Sequence, residues 1–535
     1  MNFYNTFSMN FFEISRILGK FLFYFTLILI FPFAFSLYCD FFTESSPPAS
    51  MAFLETIGVS IACFLLFWGL GKRSSQTQLY KRDSILIVIL IWIVSAVLSS
   101  LPFLFSHVLQ HPIDALFESM SGLTTTGSTI LYPKAYALGK EIPISFAIDD
   151  AKYVFFGTVS DVVDASGKVL SGVEAIGKPL LLWRALLQWL GGMGIVVLFI
   201  ALFPALSIGG KFLFEAETTG PNKESLTPRI RQTASFLWKI YVGLTLLQVI
   251  LLMITNSAIS LFDAITLSFC TISTGGFSIY NDGIAAYHHL GTEWVVIVFM
   301  FLGGMNFSLF FYSLKGKINR LRDPEFFLYL IIAFLSALFL FWSLMSRFPF
   351  HEAIRYGVFQ SISALTSTGY TSTSFSSFPF LSLFLMLLFI YSGSMSGSTS
   401  GGIKMARHLI YFKTIKTKIE SLFRPERITC LKIGDKEISE KTATLVLIFL
   451  CVVLLSTLLG LLLLLIDGID PKTALAVFSS SINNAGIFAG EGPLSHSYAF
   501  LPTFSKGILI FFMLFGRLEF FALLMLFFPS FWKKS

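Results

Sequence analysis

Four short runs decide how this chain is read: SGLTTTGS at 121–128, CTISTGGF at 270–277, SALTSTGY at 363–370 and SSINNAGI at 480–487. They align without a gap on Gly127, Gly276, Gly369 and Gly486, each with an apolar residue four positions earlier (Leu123, Ile272, Leu365, Ile482). The residues between are small or carry a hydroxyl or amide: Thr124, Thr125 and Thr126; Ser273, Thr274 and Gly275; Thr366, Ser367 and Thr368; Asn483, Asn484 and Ala485. Each run closes a short apolar segment, at about 112–123, 262–272, 352–365 and 471–482. Crossing ~30 Å of hydrocarbon takes about 20 helical residues, so these segments dip into a membrane without spanning it. A second motif follows each run: LGGMG (190–194), LGGMN (302–306), SGSMS (392–396) and FGRLE (515–519). A pattern recurring in this way marks one structural unit used four times.

The rest of the 535-residue chain agrees with a membrane setting. Hydrophobic residues make up 55% and charged residues 13%, about half the charge that covers ordinary soluble proteins. Ten stretches approach or exceed spanning length: about 20–38, 51–70, 85–105, 181–206, 234–256, 293–314, 326–346, 378–413, 442–466 and 504–529. The first carries Glu13 ahead of it and no small-residue cleavage site after it, so it reads as a retained helix. The net charge of +7 does not point to nucleic acid, because the basic residues sit in short loops between apolar stretches. With the N-terminus inside, cytoplasmic segments hold 26 of the 38 Lys and Arg residues and outer segments nine, five of them in the long loop 131–180. The positive-inside rule then places both termini in the cytoplasm and brings all four short segments in from outside. Five scattered cysteines and His residues in outer loops show no zinc spacing.

The expected fold is an all-α polytopic membrane protein. Four helix–pore helix–filter–helix repeats surround one pore, preceded by a two-helix N-terminal unit (1–84). The repeats cover 85–207 with an extracellular insertion at 131–180, then 234–315, 326–413 and 442–529. Irregular backbone at membrane depth is tolerated only where protein buries it or water lines it. A re-entrant helix points its partly negative C-terminal end toward the membrane centre, and the run after it can turn carbonyl oxygens toward an ion in place of its water shell. Glycine suits such a strand because some positions need φ > 0. Asp114, Asp263, Glu352 and Asp470 stand at the starts of the short helices, where carboxylates cap free N–H groups.

The four runs, QWLGGMG at 188–194 and SGSMSGSTSGGIK at 392–404 resemble the Trk/Ktr/HKT superfamily of potassium transporters, over essentially 16–530. The two extra N-terminal helices and the insertion in the first repeat are similar to its TrkH-type bacterial branch. The resemblance implies potassium as the transported ion, no organic cofactor in this chain, one pore per subunit, a homodimer in the inner membrane, and a cytoplasmic ring of TrkA-like nucleotide-binding regulatory subunits. In related plant members Ser at the first filter Gly accompanies sodium permeation; all four positions here are Gly, which favours potassium. The Asn-Asn-Ala-Gly of the fourth run departs from the Thr-rich pattern.

Two features suggest control of the pore. The 378–413 stretch is too long for one straight helix and is interrupted at 392–402 by Gly393, Gly397, Gly401 and Gly402 among six hydroxyl residues. Each Gly costs a helix ~1 kcal/mol relative to Ala, so the run reads as an intramembrane loop that gates the path beneath the filter. Arg517 takes the motif position held by Gly192, Gly304 and Ser394. A buried charge there costs ~2.5–3.5 kcal/mol on insertion scales and needs a polar cavity, which the pore below the filter supplies. A symporter coupling a solute to H⁺ or Na⁺ would show two inverted halves, whereas the four copies here are parallel; a cation channel of low K⁺/Na⁺ selectivity is the other alternative. No helix bears Arg or Lys at every third position, and no HExxH or Ser/His/Asp cluster suggests an enzyme. The orientation is checked with single cysteines. One placed within 131–180 should react with an impermeant thiol reagent from outside, and one within 423–435 should not; the reverse labelling overturns the topology.

Overall fold

The computed structural model describes residues 10–42, 48–73, 81–137, 139–148, 151–163, 167–195, 197, 230–317, 319, 322–373, 375–424, 431–434, 436–487 and 497–532. The chain opens with α1 (Phe11–Phe42), longer at both ends than its apolar stretch, and α2 (Ser50–Gly71). Gly71 lies against Arg16 and Gly19 against the Trp68 backbone, while Thr26 and Ser60 hydroxyls bond at 2.7 Å. These contacts make the pair antiparallel and close-packed, as small residues allow between membrane helices. Trp183 meets Phe25 of α1 and Phe53 of α2, docking the pair on the first repeat.

Each repeat starts with a helix of 21–27 residues: α3 (Lys81–Phe105), α6 (Ile230–Thr255), α10 (Pro324–Leu344) and α14 (Glu440–Ile466). These four, with α1 and α2, are long and apolar enough to cross a membrane. The short helices follow: α4 (Pro112–Leu123), α7 (Leu261–Ile272), α11 (Phe350–Leu365) and α15 (Pro471–Ile482). At 1.5 Å per residue, 12 residues reach only about 18 Å. Capping by the acids holds for Asp470, whose carboxylate accepts from Thr473 N–H at 2.9 Å. Elsewhere it needs correction. Ser260 caps α7, leaving Asp263 to accept from the Tyr280 hydroxyl at 3.1 Å, and Asp114 pairs with Lys506 at 2.8 Å.

The final helix of every repeat is broken, where the sequence suggested a break only in the third. The first, α5 (Lys178–Gly192), ends at its motif, and most of the expected 181–206 span beyond it lies outside the described residues. In the second, α8 (Leu290–Gly303) and α9 (Phe307–Leu314) meet at 92°. In the third, α12 (Phe380–Ser392) and α13 (Met405–Phe423) flank the 393–404 loop. In the fourth, α16 (Thr503–Arg517) gives way to α17 (Phe521–Leu526) through Glu519 and Phe520, both at positive φ. Motif glycines explain the common level. A Cβ on Gly191, Gly303 or Gly516 would press on the carbonyl of Leu123, Ile272 or Ile482, the last residue of the short helix in the same repeat.

The insertion departs from an all-α chain. It holds three antiparallel hairpins, β1–β2 (Ala135–Ala137, Lys140–Ile142), β3–β4 (Ile144–Ile148, Ala151–Phe155) and β5–β6 (Val162–Val163, Val169–Leu170). Outside hydrocarbon a segment need not satisfy its backbone as a helix. The insertion belongs to the first repeat yet anchors on the fourth: Tyr153 donates to Asp470 at 2.5 Å and packs edge-on to Phe500, as does Phe146. Burial, then the Asp470 carboxylate, pushes the Tyr153 phenol up to about 12. The raised value means the bond is whole below pH about 10, the ordinary tyrosine range, and is lost as pH climbs through about 12. Proteolysis of the insertion should therefore accelerate above pH 10, and Tyr153→Phe should show the faster cleavage already at neutral pH.

Candidate functional site

All four short helices end in the same way. Thr125, Thr274, Ser367 and Asn484 adopt left-handed backbone with φ of 56°, 52°, 52° and 51°. The next amide then reaches back: Thr126 to Ser121 O at 2.9 Å, Gly275 to Cys270 O at 2.8 Å, Thr368 to Ser363 O at 2.9 Å and Ala485 to Ser480 O at 2.9 Å. This is the Schellman helix ending, which glycine usually supplies. For β-branched Thr125 and Thr274 the conformation is strained, and such strain persists where surrounding structure over-determines it. Asparagine tolerates it best among non-glycine residues, which accounts for Asn484 in the unusual fourth run. The Asn484 amide also donates to Thr126 Oγ1 and Met513 O, both at 2.9 Å.

Two residues later each chain turns left-handed again, now at Gly127, Gly276, Gly369 and Gly486. A Cβ on Gly127 would collide with Gly275 O, on Gly276 with Thr368 O, on Gly369 with Ala485 O and on Gly486 with Thr126 O. Each glycine thus makes room for a carbonyl of the next repeat, and the fourth makes room for the first. The sequence-predicted residues 124–127, 273–276, 366–369 and 483–486 therefore come together as one closed ring, and all four glycines line a single cavity on the face away from the 393–404 loop. Gln188 braces the second run, donating to Gly275 O at 2.7 Å and accepting from Phe277 N–H at 3.0 Å. Carbonyl and hydroxyl oxygens arranged in this way are hard, neutral ligands for a monovalent cation.

Beneath the ring sits the intramembrane loop. Thr399 Oγ1 donates to Ile272 O and Gly303 O, both at 3.1 Å, and meets Thr274 Oγ1 at 3.2 Å. Gly401 N–H donates to Ser367 Oγ at 2.6 Å, and its Cα faces Asn483 O so closely that a Cβ would not fit. Gly393, Gly397 and Gly402 take positive φ, while Ser394, Thr399 and Ser400 are buried. Arg517 completes the layer. Its guanidinium donates to Thr125 Oγ1 at 3.2 Å, Thr399 O at 2.9 Å, Gly191 O at 2.5 Å and Gly192 O at 2.8 Å. The loop and this one cation together touch all four runs from the same side.

Sequence reasoning missed a pair on the face of the ring away from the loop. Glu118 of α4 and Arg184 of α5 are buried and bonded at 2.7 Å. Glu118 also accepts from Ile130 N–H at 2.9 Å, and Arg184 donates to Ser278 O at 3.0 Å and lies over the Phe277 ring. The pair fixes the strands leaving the first and second runs. Two charges of opposite sign inside neighbouring apolar segments were the available signal, since such charges must pair. Replacing one glycine tests the ring: Gly127→Ser or Gly369→Ser should insert and fold yet lower K⁺-over-Na⁺ discrimination in flux assays, because the added side chain displaces a carbonyl of the adjacent run. Unchanged selectivity in all four single substitutions would remove the assignment.

Comparisons with known proteins agree with this geometry. Residues 145–534 match the TrkH family profile, described as cation transport protein. The Trk system potassium uptake protein TrkH of Halomonas elongata is 32% identical over 530 residues, covering 97% of this chain and 99% of that one. TrkH of Escherichia coli K12 is 32% identical, covering 98% and 100%. The crystal structure of the potassium transporter TrkH from Vibrio parahaemolyticus superposes with a TM-score of 0.80 at 29% identity, covering 98% of this chain and all of that one. The chain is a multi-pass membrane transport protein, not an enzyme, and belongs to the TrkH family.

Proposed function

We propose that this protein takes up potassium across the inner membrane along the axis of the four runs. Residues Thr124–Gly127, Ser273–Gly276, Thr366–Gly369 and Asn483–Gly486 form the selectivity filter. The observation that carries the reading is the closed ring of glycines and carbonyls, with the intramembrane loop and Arg517 directly below it. Potassium is the cargo in the names of the relatives, and neutral oxygens suit an ion that must also leave. The loop is the gate and Arg517 adds an electrostatic barrier, since its positive charge stands in the cation path. The repeats at 85–207, 234–315, 326–413 and 442–529 each contribute one quarter of the pore. Both termini face the cytoplasm, two copies form a homodimer, and a TrkA-like nucleotide-binding subunit acts on the cytoplasmic ends between Arg407 and Lys441.

Reconstitution into liposomes tests this. Uptake should follow K⁺ and Rb⁺ gradients well above Na⁺; uptake that requires a proton or sodium gradient would identify a symporter instead. With the regulatory partner absent, shortening 393–401 should raise K⁺ flux, and Arg517→Ala should raise it too. The double variant should gain less than the two single gains combined, because Arg517 donates to Thr399 O and both changes relieve one barrier. If neither change raises flux in folded protein, the loop is not the gate.

A further inference from the structure

Besides its bonds to the ring, the loop is tied to a neighbouring helix by a carboxylate. Glu325 stands in the first turn of α10 and is 9% exposed. Its Oε1 accepts from Ser396 N–H at 2.6 Å and from Ala406 N–H at 3.2 Å. Ser396 lies within the loop, and Ala406 lies in the first turn of α13, just beyond it. One oxygen therefore ties the loop to the helix that leaves it. The α13 start, Lys404, has no side-chain cap of its own, so the carboxylate of a neighbouring helix serves its free N–H groups and meets the positive end of its dipole. Inside the loop, the Lys404 ammonium donates to Ser398 Oγ at 3.2 Å and Ser400 Oγ at 3.1 Å and closes on the Ser400 carbonyl. These bonds make the loop compact; Thr399 and Gly401 hold its far end under the ring, and Glu325 ties its near end to α10.

The carboxylate is itself positioned from the cytoplasmic side. Asp323 caps α10 by accepting from Glu325 N–H at 2.9 Å. The ring of Pro324 lies beside Gly434, in the turn of a hairpin formed by β7 (Lys432–Ile433) and β8 (Lys436–Glu437). The same hairpin is tied to α13 through Lys413, which donates to Lys432 O. A pull on α13 or on this hairpin is thus transmitted to the bonds of Glu325, alongside the Arg407–Glu519 pair at the same end of α13.

We propose that Glu325 is the latch of the intramembrane loop, a positioning residue that holds the loop beneath the filter by gripping Ser396 and Ala406 at once, and that opening requires this grip to break. The proposal rests on the loop being the gate. It separates the latch from the filter, because Glu325 touches no residue of the four runs among its recorded bonds.

The test uses the full chain in liposomes without a regulatory partner. Glu325→Ala should raise Rb⁺ uptake about tenfold, the shift expected when hydrogen bonds to a buried charge are lost from the closed state. Hydrogen–deuterium exchange at 393–406 should accelerate in parallel, while the K⁺/Na⁺ ratio stays that of the unaltered chain. Glu325→Gln keeps an oxygen of the same reach and should restore low uptake and slow exchange. Glu325→Asp, one methylene shorter, should behave as Ala does and stands in for it if the Ala variant fails to insert. Unaltered uptake and exchange in the Ala or Asp variant would overturn the latch, as would a fall in selectivity, which would place the effect in the filter. A Gln variant as leaky as Ala would also overturn it. The loop-shortened chain separates the two readings: if it leaks and Glu325→Ala does not, the gate stands without this latch, and if neither leaks, both fall.

Discussion

Everything in this molecule is arranged around the close approach of four backbones. For four repeats to close into one ring, each chain must pass within contact distance of its neighbour, and a side chain at the crossing would hold them apart. The glycines at 127, 276, 369 and 486 remove that obstacle in rotation, each admitting an oxygen of the next repeat. The Schellman ending two residues earlier aims the chain into the crossing. The glycines of the second motif let the following helix come under the ring, and that helix breaks because it has reached the loop layer. Strain at Thr125, Thr274, Ser367 and Asn484 is held by four equivalent sets of backbone bonds.

Charge is used differently on the two sides of the ring. On the face away from the loop, Glu118 and Arg184 neutralise one another and act as a brace. A pair of this kind gives little net stability, but removing one partner costs several kcal/mol because the other stays buried. On the loop side, Arg517 is accommodated by hydrogen bonds to carbonyls and a hydroxyl. Bonds to a charged group are worth about 1.5–3 kcal/mol each, so the four recorded here outweigh the ~2.5–3.5 kcal/mol of burying the cation. The guanidinium is thereby held beneath the ring. Glu519, two residues on, serves a different basic residue, bonding Arg407 at 2.7 Å.

The family, the repeats and the candidate ring were legible because they are written as periodic pattern. Short apolar segments, a fixed glycine and a second glycine motif are local signals repeated four times. The interruption of the third repeat's last helix was legible for the same reason, since four glycines in ten residues cannot remain helical. What escaped was pairwise and long-range. The breaks after Gly192, Gly303 and Arg517 depend on carbonyls far away in sequence, so apolar continuity alone suggested unbroken spans. The hairpins of the insertion were hidden behind an all-α expectation drawn from the membrane portion. Asp114 looked like a cap until Lys506, nearly four hundred residues later, was found beside it. Glu325 carried no motif at all; its role arises only when the loop folds back onto α10.

A ring made from one linear chain has three covalent joints and one open seam, between the fourth repeat and the first. At this seam the contacts are dense: Thr129 bridges Ser497, Tyr498 N–H donates to Thr129 O at 2.8 Å, Lys506 meets Asp114, and the insertion reaches over to Asp470 and Phe500. The insertion works as the clasp of a belt. Its consequence concerns biosynthesis. Contacts between such distant parts of a chain form last, because loop closure must precede them. A partly synthesised chain already in the membrane has three quarters of a ring and no clasp. The ring closes only when the final repeat arrives, and the same repeat brings Arg517 beneath it. Closure of the ring and arrival of the guanidinium are thus one event in the making of the chain.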